Sequence, residues 1–196
     1  MATQALYRRY RPQRFGEIRG QEHIVRALRN AVINHREGQA YLFSGPRGTG
    51  KTTSARVLAK VLNCERAVDG EPCCECDSCL AVQRGTSFDV HELDAASNNG
   101  VDAMRDLIEK ASLGTPGRHK VYILDEVHML SKQAEAALLK TLEEPPPHLC
   151  KTACKVIPNS WASPTSWSSG RCFPCSNSHR GRSRAGSGAM KSRTRS

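Results

Sequence analysis

The sequence has no long hydrophobic run, no internal repeat and no acidic residue after Glu144. Nothing in it approaches the roughly eighteen uncharged apolar residues that a membrane-spanning helix needs. Its opening, Met1-Ala2-Thr3-Gln4, lacks the basic segment and apolar stretch of an export leader. These absences predict a soluble chain that stays in the cytoplasm. What is present, 196 residues that are 38% hydrophobic and 24% charged, suffices for one domain with its own core rather than two.

The missing acids also locate the charge. The chain carries a formal +10, but residues 1–148 hold 20 Lys and Arg against 19 Asp and Glu, whereas residues 149–196 hold 9 Lys and Arg and no acid. The basicity therefore belongs to the tail, in which 11 of 48 residues are Ser. No helical or strand period is visible there, and such a composition buries too little surface to offset chain entropy, so disorder is expected. One reading of the tail is a basic arm for phosphate contacts. The other, which the composition favours, is an out-of-frame or truncated end.

Residues 1–148 read differently. Ile24, Leu28, Ala31 and Val32 recur at helical spacing within 22–35, and Ala40–Ser44 is a short apolar run of strand type. Further strands are predicted at 90–93 and 120–125, and helices at 51–62, 101–111 and 131–142. Strands alternating with helices imply an α/β fold with a parallel sheet covered on both faces.

Gly45-Pro46-Arg47-Gly48-Thr49-Gly50-Lys51-Thr52 follows the first strand and opens a helix, the context that the phosphate-loop pattern G-x-x-x-x-G-K-[ST] requires. Its glycines let backbone N–H groups converge on anionic oxygens at a helix N-terminus. Lys51 is expected to reach the β- and γ-phosphates of ATP, and the Thr52 hydroxyl to ligate Mg²⁺. Val121-Tyr122-Ile123-Leu124 ends in Asp125 and Glu126. The first acid suits the Mg²⁺ shell, and the second suits a residue that orients or deprotonates a water.

Cys64, Cys73, Cys74, Cys76 and Cys79 fall within 16 residues. For an intracellular chain a metal is a better reading than disulfides. Cys64, Cys73, Cys76 and Cys79 supply four thiolates for a closed structural Zn²⁺ site, with Cys74 left over. The site interrupts the βα alternation as an inserted knuckle over 63–80. Cys150, Cys154, Cys172 and Cys175 in the tail lack surrounding strand or turn signals and are not read as a second site.

Tyr7-Arg8-Arg9-Tyr10-Arg11-Pro12, Gly20-Gln21-Glu22-His23, the phosphate loop, the cysteine insertion, Leu93-Asp94-Ala95-Ala96-Ser97, Asp125-Glu126-Val127-His128-Met129-Leu130 and Leu138-Leu139-Lys140-Thr141-Leu142-Glu143-Glu144-Pro145-Pro146 together closely resemble the bacterial DNA polymerase III gamma/tau subunits. These are AAA+ motors of the replicative clamp loader, and the resemblance covers residues 1 to about 148. It implies ATP at Gly45 to Thr52, Mg²⁺ and water at Asp125 and Glu126, zinc at the four cysteines, and adenine near Tyr7 to Pro12. It further implies partnership with other loader subunits, the sliding clamp, primer-template DNA and the polymerase holoenzyme, as an ATPase that does not itself polymerise nucleotides.

The family continues with a central apolar strand ending in a sensor residue, an arginine that reaches a neighbouring ATP site, a helical lid and an oligomerisation domain. The candidate for that strand, Leu149 to Ile157, contains Lys151 and Lys155, and burying either unpaired would cost several kcal/mol. The expectation is thus an incomplete fold without its later strands and lid, joined to a frameshifted end. Ser183-Arg184 and Ser192-Arg193 are not read as arginine fingers. Two other functions fit parts of the sequence. Asp125-Glu126-Val127-His128 also matches the D-E-x-H form of helicases, but no room remains for their second domain. A non-hydrolysing zinc- and DNA-binding or loader-interaction fragment is the alternative of a different class.

Overall fold

The computed structural model describes residues 10–38, 40–112, 119–143, 149–154 and 171–174. A short 3-10 turn at Phe15–Glu17 precedes α1 (Glu22–Ile33), β1 (Ala40–Ser44), α2 (Lys51–Leu62) and α3 (Asp77–Arg84). Then follow β2 (Val90–Asp94), α4 (Val101–Ser112), β3 (Lys120–Asp125), α5 (Lys132–Glu143), β4 (Leu149–Cys154) and β5 (Arg171–Pro174). Among the described residues no helix is long and apolar enough to cross a membrane.

The five strands form one parallel sheet in the order β2-β3-β4-β1-β5. Period-two alternation sends the side chains of β1 and β3 into two separate cores. Tyr41, Phe43, Val121 and Ile123 pack with Ile24 and Leu28 of α1 and with Ala55, Leu58 and Leu62 of α2. Ala40, Tyr122 and Leu124 pack on the other face with Met104 and Leu107 of α4 and Ala134 and Leu138 of α5. This two-sided burial explains why both strands read as unbroken apolar runs.

The start of α1 and the end of α3 each have a local reason. Glu22 accepts the Gly20 N–H at 3.0 Å, and backbone N–H groups of Glu22 itself and Gly20 hold its carboxyl below the usual range; a carboxylate there also suits the helix N-terminus. Helix α3 ends at Gly85, whose φ of 74° lets its N–H reach the Val82 carbonyl while Thr86 N–H reaches Ala81, a left-handed terminus that glycine adopts readily.

The structure differs from the sequence reading beyond residue 148. Leu149–Cys154 is the central strand, with Lys151 in register with Ala40 on one side and Tyr122 on the other. The expectation that the later strands are lacking and that this stretch is disordered is corrected for Leu149–Cys154 and Arg171–Pro174. The physical reason is the backbone. Without β4, the facing edges of β1 and β3 would carry unpaired N–H and C=O groups in the middle of the sheet, a demand that side-chain composition does not reveal. Residues 155–170 and 175–196, with Lys155, Cys175 and both Ser-Arg pairs, lie outside the described residues. So do Tyr7 to Arg9 and Glu144 to His148.

Candidate nucleotide site and cysteine knuckle

The phosphate loop leaves the C-terminal end of β1 and turns into α2 with φ of 141° at Gly45, 84° at Gly48 and 81° at Gly50. A Cβ at Gly48 or Gly50 would meet nothing within 4 Å, so it is backbone conformation and not space that requires glycine there. Lys51 is buried. Its ammonium donates to the carbonyls of Gly45 at 3.0 Å and Pro46 at 2.6 Å, and the Thr49 hydroxyl donates to Pro46 at 2.9 Å. The loop thus holds a cation at its centre while Pro46, Arg47 and Gly48 stay exposed at its tip.

Strand β3 delivers the acids to this loop. The Thr52 hydroxyl donates to Asp125 Oδ2 at 2.9 Å across 73 residues of sequence. The other oxygen of Asp125 accepts the Glu126 N–H at 3.0 Å, and the Ala95 N–H donates to the Asp125 carbonyl at 3.0 Å. Glu126 is left-handed, φ 52° and ψ 39°, a conformation that costs a non-glycine residue on the order of 1 kcal/mol. Its carboxylate lies 3.4 Å from His128 Nδ1. The residues that sequence analysis assigned to the phosphates and Mg²⁺, from Gly45 to Thr52 with Asp125 and Glu126, therefore gather at the C-terminal ends of β1 and β3, where ligands bind in open α/β sheets.

The knuckle is built from one stretch of chain. The sulfurs of Cys64, Cys73, Cys76 and Cys79 all lie within 4.8 Å of one another, with Cys64 to Cys73 at 3.5 Å and Cys73 to Cys79 at 3.9 Å. Four sulfurs about 2.3 Å from a tetrahedral zinc stand about 3.8 Å apart, so the spacing and the all-thiol donor set fit that ion. Cys64, Cys76 and Cys79 are buried and unbridged. N–H groups of Glu75 at 3.5 Å and Cys76 at 3.3 Å point at the Cys73 sulfur and hold that thiol down at about 6. Burial raises the thiols of Cys64 and Cys79 instead. Cys74 stands outside the cluster. A φ of 66° turns it away, and its sulfur lies 3.6 Å from the Gln13 carbonyl and 4.0 Å from the Lys60 ammonium.

Glu71, at the tip of the knuckle, accepts the Phe15 and Gly16 N–H groups at 2.8 and 3.0 Å. The Arg29 guanidinium of α1 donates to the Asp69 carbonyl at 2.9 Å. This stitching of the knuckle to the N-terminal segment escaped sequence analysis, because a lone Glu and a lone Arg carry no local signature.

The comparisons with known proteins bear on the same residues. The family described as DNA polymerase III, delta subunit, matches residues 20–152, from the turn before α1 into β4. The chain belongs to that DNA polymerase III family. Within it, the sequence neighbours are of the gamma/tau kind: DNA polymerase III subunit tau of Bacillus subtilis is 56% identical over 149 residues, 76% of this chain and 26% of that protein. The chain thus spans about a quarter of this relative's length. Two solved structures share its fold. The RuvB Holliday junction branch migration motor of Thermotoga maritima is 21% identical at a TM-score of 0.54, covering 84% of this chain and 48% of that one. A DNA polymerase III gamma subunit-related protein of the same organism is 18% identical at 0.50, covering 78% and 45%. The fold of this family member is that of the P-loop AAA+ proteins, with a four-cysteine insertion.

Proposed function

We propose that this chain is the ATP-binding and ATP-hydrolysing part of a clamp-loader subunit in the DNA polymerase III holoenzyme. The observation that carries the reading is the bond from the Thr52 hydroxyl to Asp125, which joins the phosphate loop to the acid-bearing strand at one point. Lys51 exchanges the carbonyls of Gly45 and Pro46 for β- and γ-phosphate oxygens, and the loop N–H groups from Gly48 to Thr52 line the anion. Thr52 and Asp125 would hold Mg²⁺, which would supply neutralisation of phosphate charge. Glu126 orients or deprotonates the attacking water. Cys64, Cys73, Cys76 and Cys79 hold a structural Zn²⁺ that takes no part in the reaction.

The gamma/tau likeness supports the rest of the proposal: assembly with other loader subunits in the cytoplasm, and action on the sliding clamp and primer-template DNA. The domain, read from the sequence as residues 1–148, is proposed to continue through the strands Leu149–Cys154 and Arg171–Pro174, with the knuckle at 63–80. Equilibrium binding of ATP with Mg²⁺ to the full chain tests the core of the reading. Binding at micromolar ATP that Lys51→Ala weakens by about a hundredfold is the expected result, as for loss of a buried charge-assisted contact. Equal binding by both proteins would overturn it. The alternative, a zinc- and DNA-binding fragment without turnover, predicts salt-sensitive DNA binding that vanishes when residues 175–196, which follow β5, are deleted. The near balance of charge in residues 1–148 weighs against it.

A further inference from the structure

We infer that His128 is the positioning residue of Glu126, and that the turn after β3 exists to bring these two side chains together. The inference rests on the ATPase reading above and adds a residue to it.

The geometry begins with the backbone. After Asp125 the chain must leave a buried parallel strand, and it does so through the left-handed Glu126, followed by a 3-10 turn over Val127–Met129 in which Met129 N–H donates to the Glu126 carbonyl at 2.8 Å. Val127 anchors that turn in the core beneath α4 and α5. The residues on either side of this anchor keep partly accessible side chains, 33% for Glu126 and 29% for His128. They meet at 3.4 Å through Oε2 and Nδ1. A carboxylate two bonds beyond Cβ has several staggered rotamers open to it. Here the backbone end of Glu126 is fixed by its N–H on Asp125 Oδ1, and its carboxylate has the imidazole nitrogen as a neighbour at 3.4 Å. Without the imidazole only the backbone end is held.

A base or water-orienting group contributes in proportion to the time it spends in reacting geometry. Removing His128 leaves the phosphate loop, Thr52 and Asp125 in place, so nucleotide binding stays and the chemical step slows. Nothing in this role needs the histidine ring itself. Asn carries a donor nitrogen at the position of Nδ1, so His128→Asn preserves the restraint, whereas His128→Leu fills similar space without a donor.

The test has two arms on the full chain. In protein with ¹⁵N-labelled histidine, Glu126→Gln shifts the Nδ1 resonance that disappears in His128→Asn; an unmoved resonance overturns the inference without reference to turnover. In steady-state ATPase kinetics, His128→Leu lowers kcat by about ten- to a hundredfold with KM changed less than about twofold, and His128→Asn recovers most of the loss. A kcat unchanged in His128→Leu overturns the inference while the ATPase reading stands, and so does a loss of kcat that His128→Asn shares in full. Wild-type protein that binds ATP and never turns it over overturns both, which separates the two failures.

Discussion

The phosphate loop and the cysteine knuckle sit at opposite ends of the same helix, α2, and they are assembled in opposite ways. The knuckle takes its four sulfurs from 16 consecutive residues, so spacing alone brings them together, and its Cys73 thiol is lowered by the N–H groups of Glu75 and Cys76 close by in sequence. The nucleotide site draws Thr52 and Asp125 from positions 73 residues apart, and only the sheet puts them side by side. A local site is broken by changing its ligands; a distributed one is broken by anything that shifts strand register. The knuckle nevertheless acts beyond itself through Glu71 and Arg29, which tie it to the N-terminal segment and α1.

The sharpest way to break this comparison is to remove one of the four thiols. Cys79→Ser is expected to abolish stoichiometric zinc, measured by metal analysis. Structural zinc contributes on the order of 10 kcal/mol to folding small sites, so the stretch from Cys64 to Arg84 should become protease-sensitive. ATP affinity should change less than about threefold if the two sites are independent. A parallel collapse of ATP binding would show that the stitching through Glu71 carries the nucleotide site as well.

Thr52→Val probes the distributed site. The variant keeps the β-branched shape and removes the hydroxyl, leaving Asp125 Oδ2 without its partner, for about 1–2 kcal/mol in urea unfolding. The loss of ATP affinity should be larger with Mg²⁺ than with EDTA, and equal losses would remove Thr52 from the metal shell.

Two glycines separate conformational strain from crowding. Gly70 and Gly85 have φ of 71° and 74°, but a Cβ at Gly70 would lie 3.1 Å from the Arg29 carbonyl and 3.2 Å from its Cα, whereas at Gly85 it meets nothing within 4 Å. Gly85→Ala should therefore cost about 1 kcal/mol from backbone strain alone. Gly70→Ala should cost roughly 1–3 kcal/mol more, because the obstruction is backbone that cannot rotate aside. Thermal melts of the two variants decide it.

The smallest effect is a single proton. Cys73 is held down at about 6, so at pH 7.5 it is already a thiolate and releases almost nothing when zinc binds. Cys64 and Cys79 are raised by burial and each give up a proton. Zinc uptake at pH 7.5 should release fewer than four protons, and the count should rise by about one below pH 6 as Cys73 itself becomes protonated. The signs agree for the metal-free fold. Stability from the depressed Cys73 is present at high pH and lost as pH falls through about 6, while that from the raised Cys64 and Cys79 is present at neutral pH and lost well above it. Calorimetric titration in two buffers of different ionisation enthalpy measures the proton count.

Much of this was legible before any tertiary structure. The predicted strands at 40–44 and 120–125 and the helix at 51–62 coincide with β1, β3 and α2, because two-sided burial and the glycine loop leave strong local marks. The helix predicted over 22–35 stops earlier, at Ile33, which is half exposed and is followed by the polar run Asn34-His35-Arg36-Glu37. Helix α3 was not anticipated within the knuckle, although Asp77 in its first turn and Gly85 at its end are ordinary helix boundaries. There the cysteine spacing gives an inserted knuckle over 63–80 and no helix. Strand β4 was discounted for its lysines, and β5 was not seen at all.

The sequence by itself determined the chemistry: a lysine and a hydroxyl at the head of a helix, two acids at the end of a buried strand, and four thiols at metal spacing. Side-chain identity and short-range spacing are written directly in the chain, and so are the family and fold class they signal. The tertiary structure alone decided strand order, the entry of Leu149–Cys154 into the centre of the sheet, and the meetings of Thr52 with Asp125 and of Glu71 with Phe15 and Gly16. These arise from backbone groups that must find partners and from cores that must close over both faces of a sheet. Both are conditions on the whole chain at once, which no window of sequence contains.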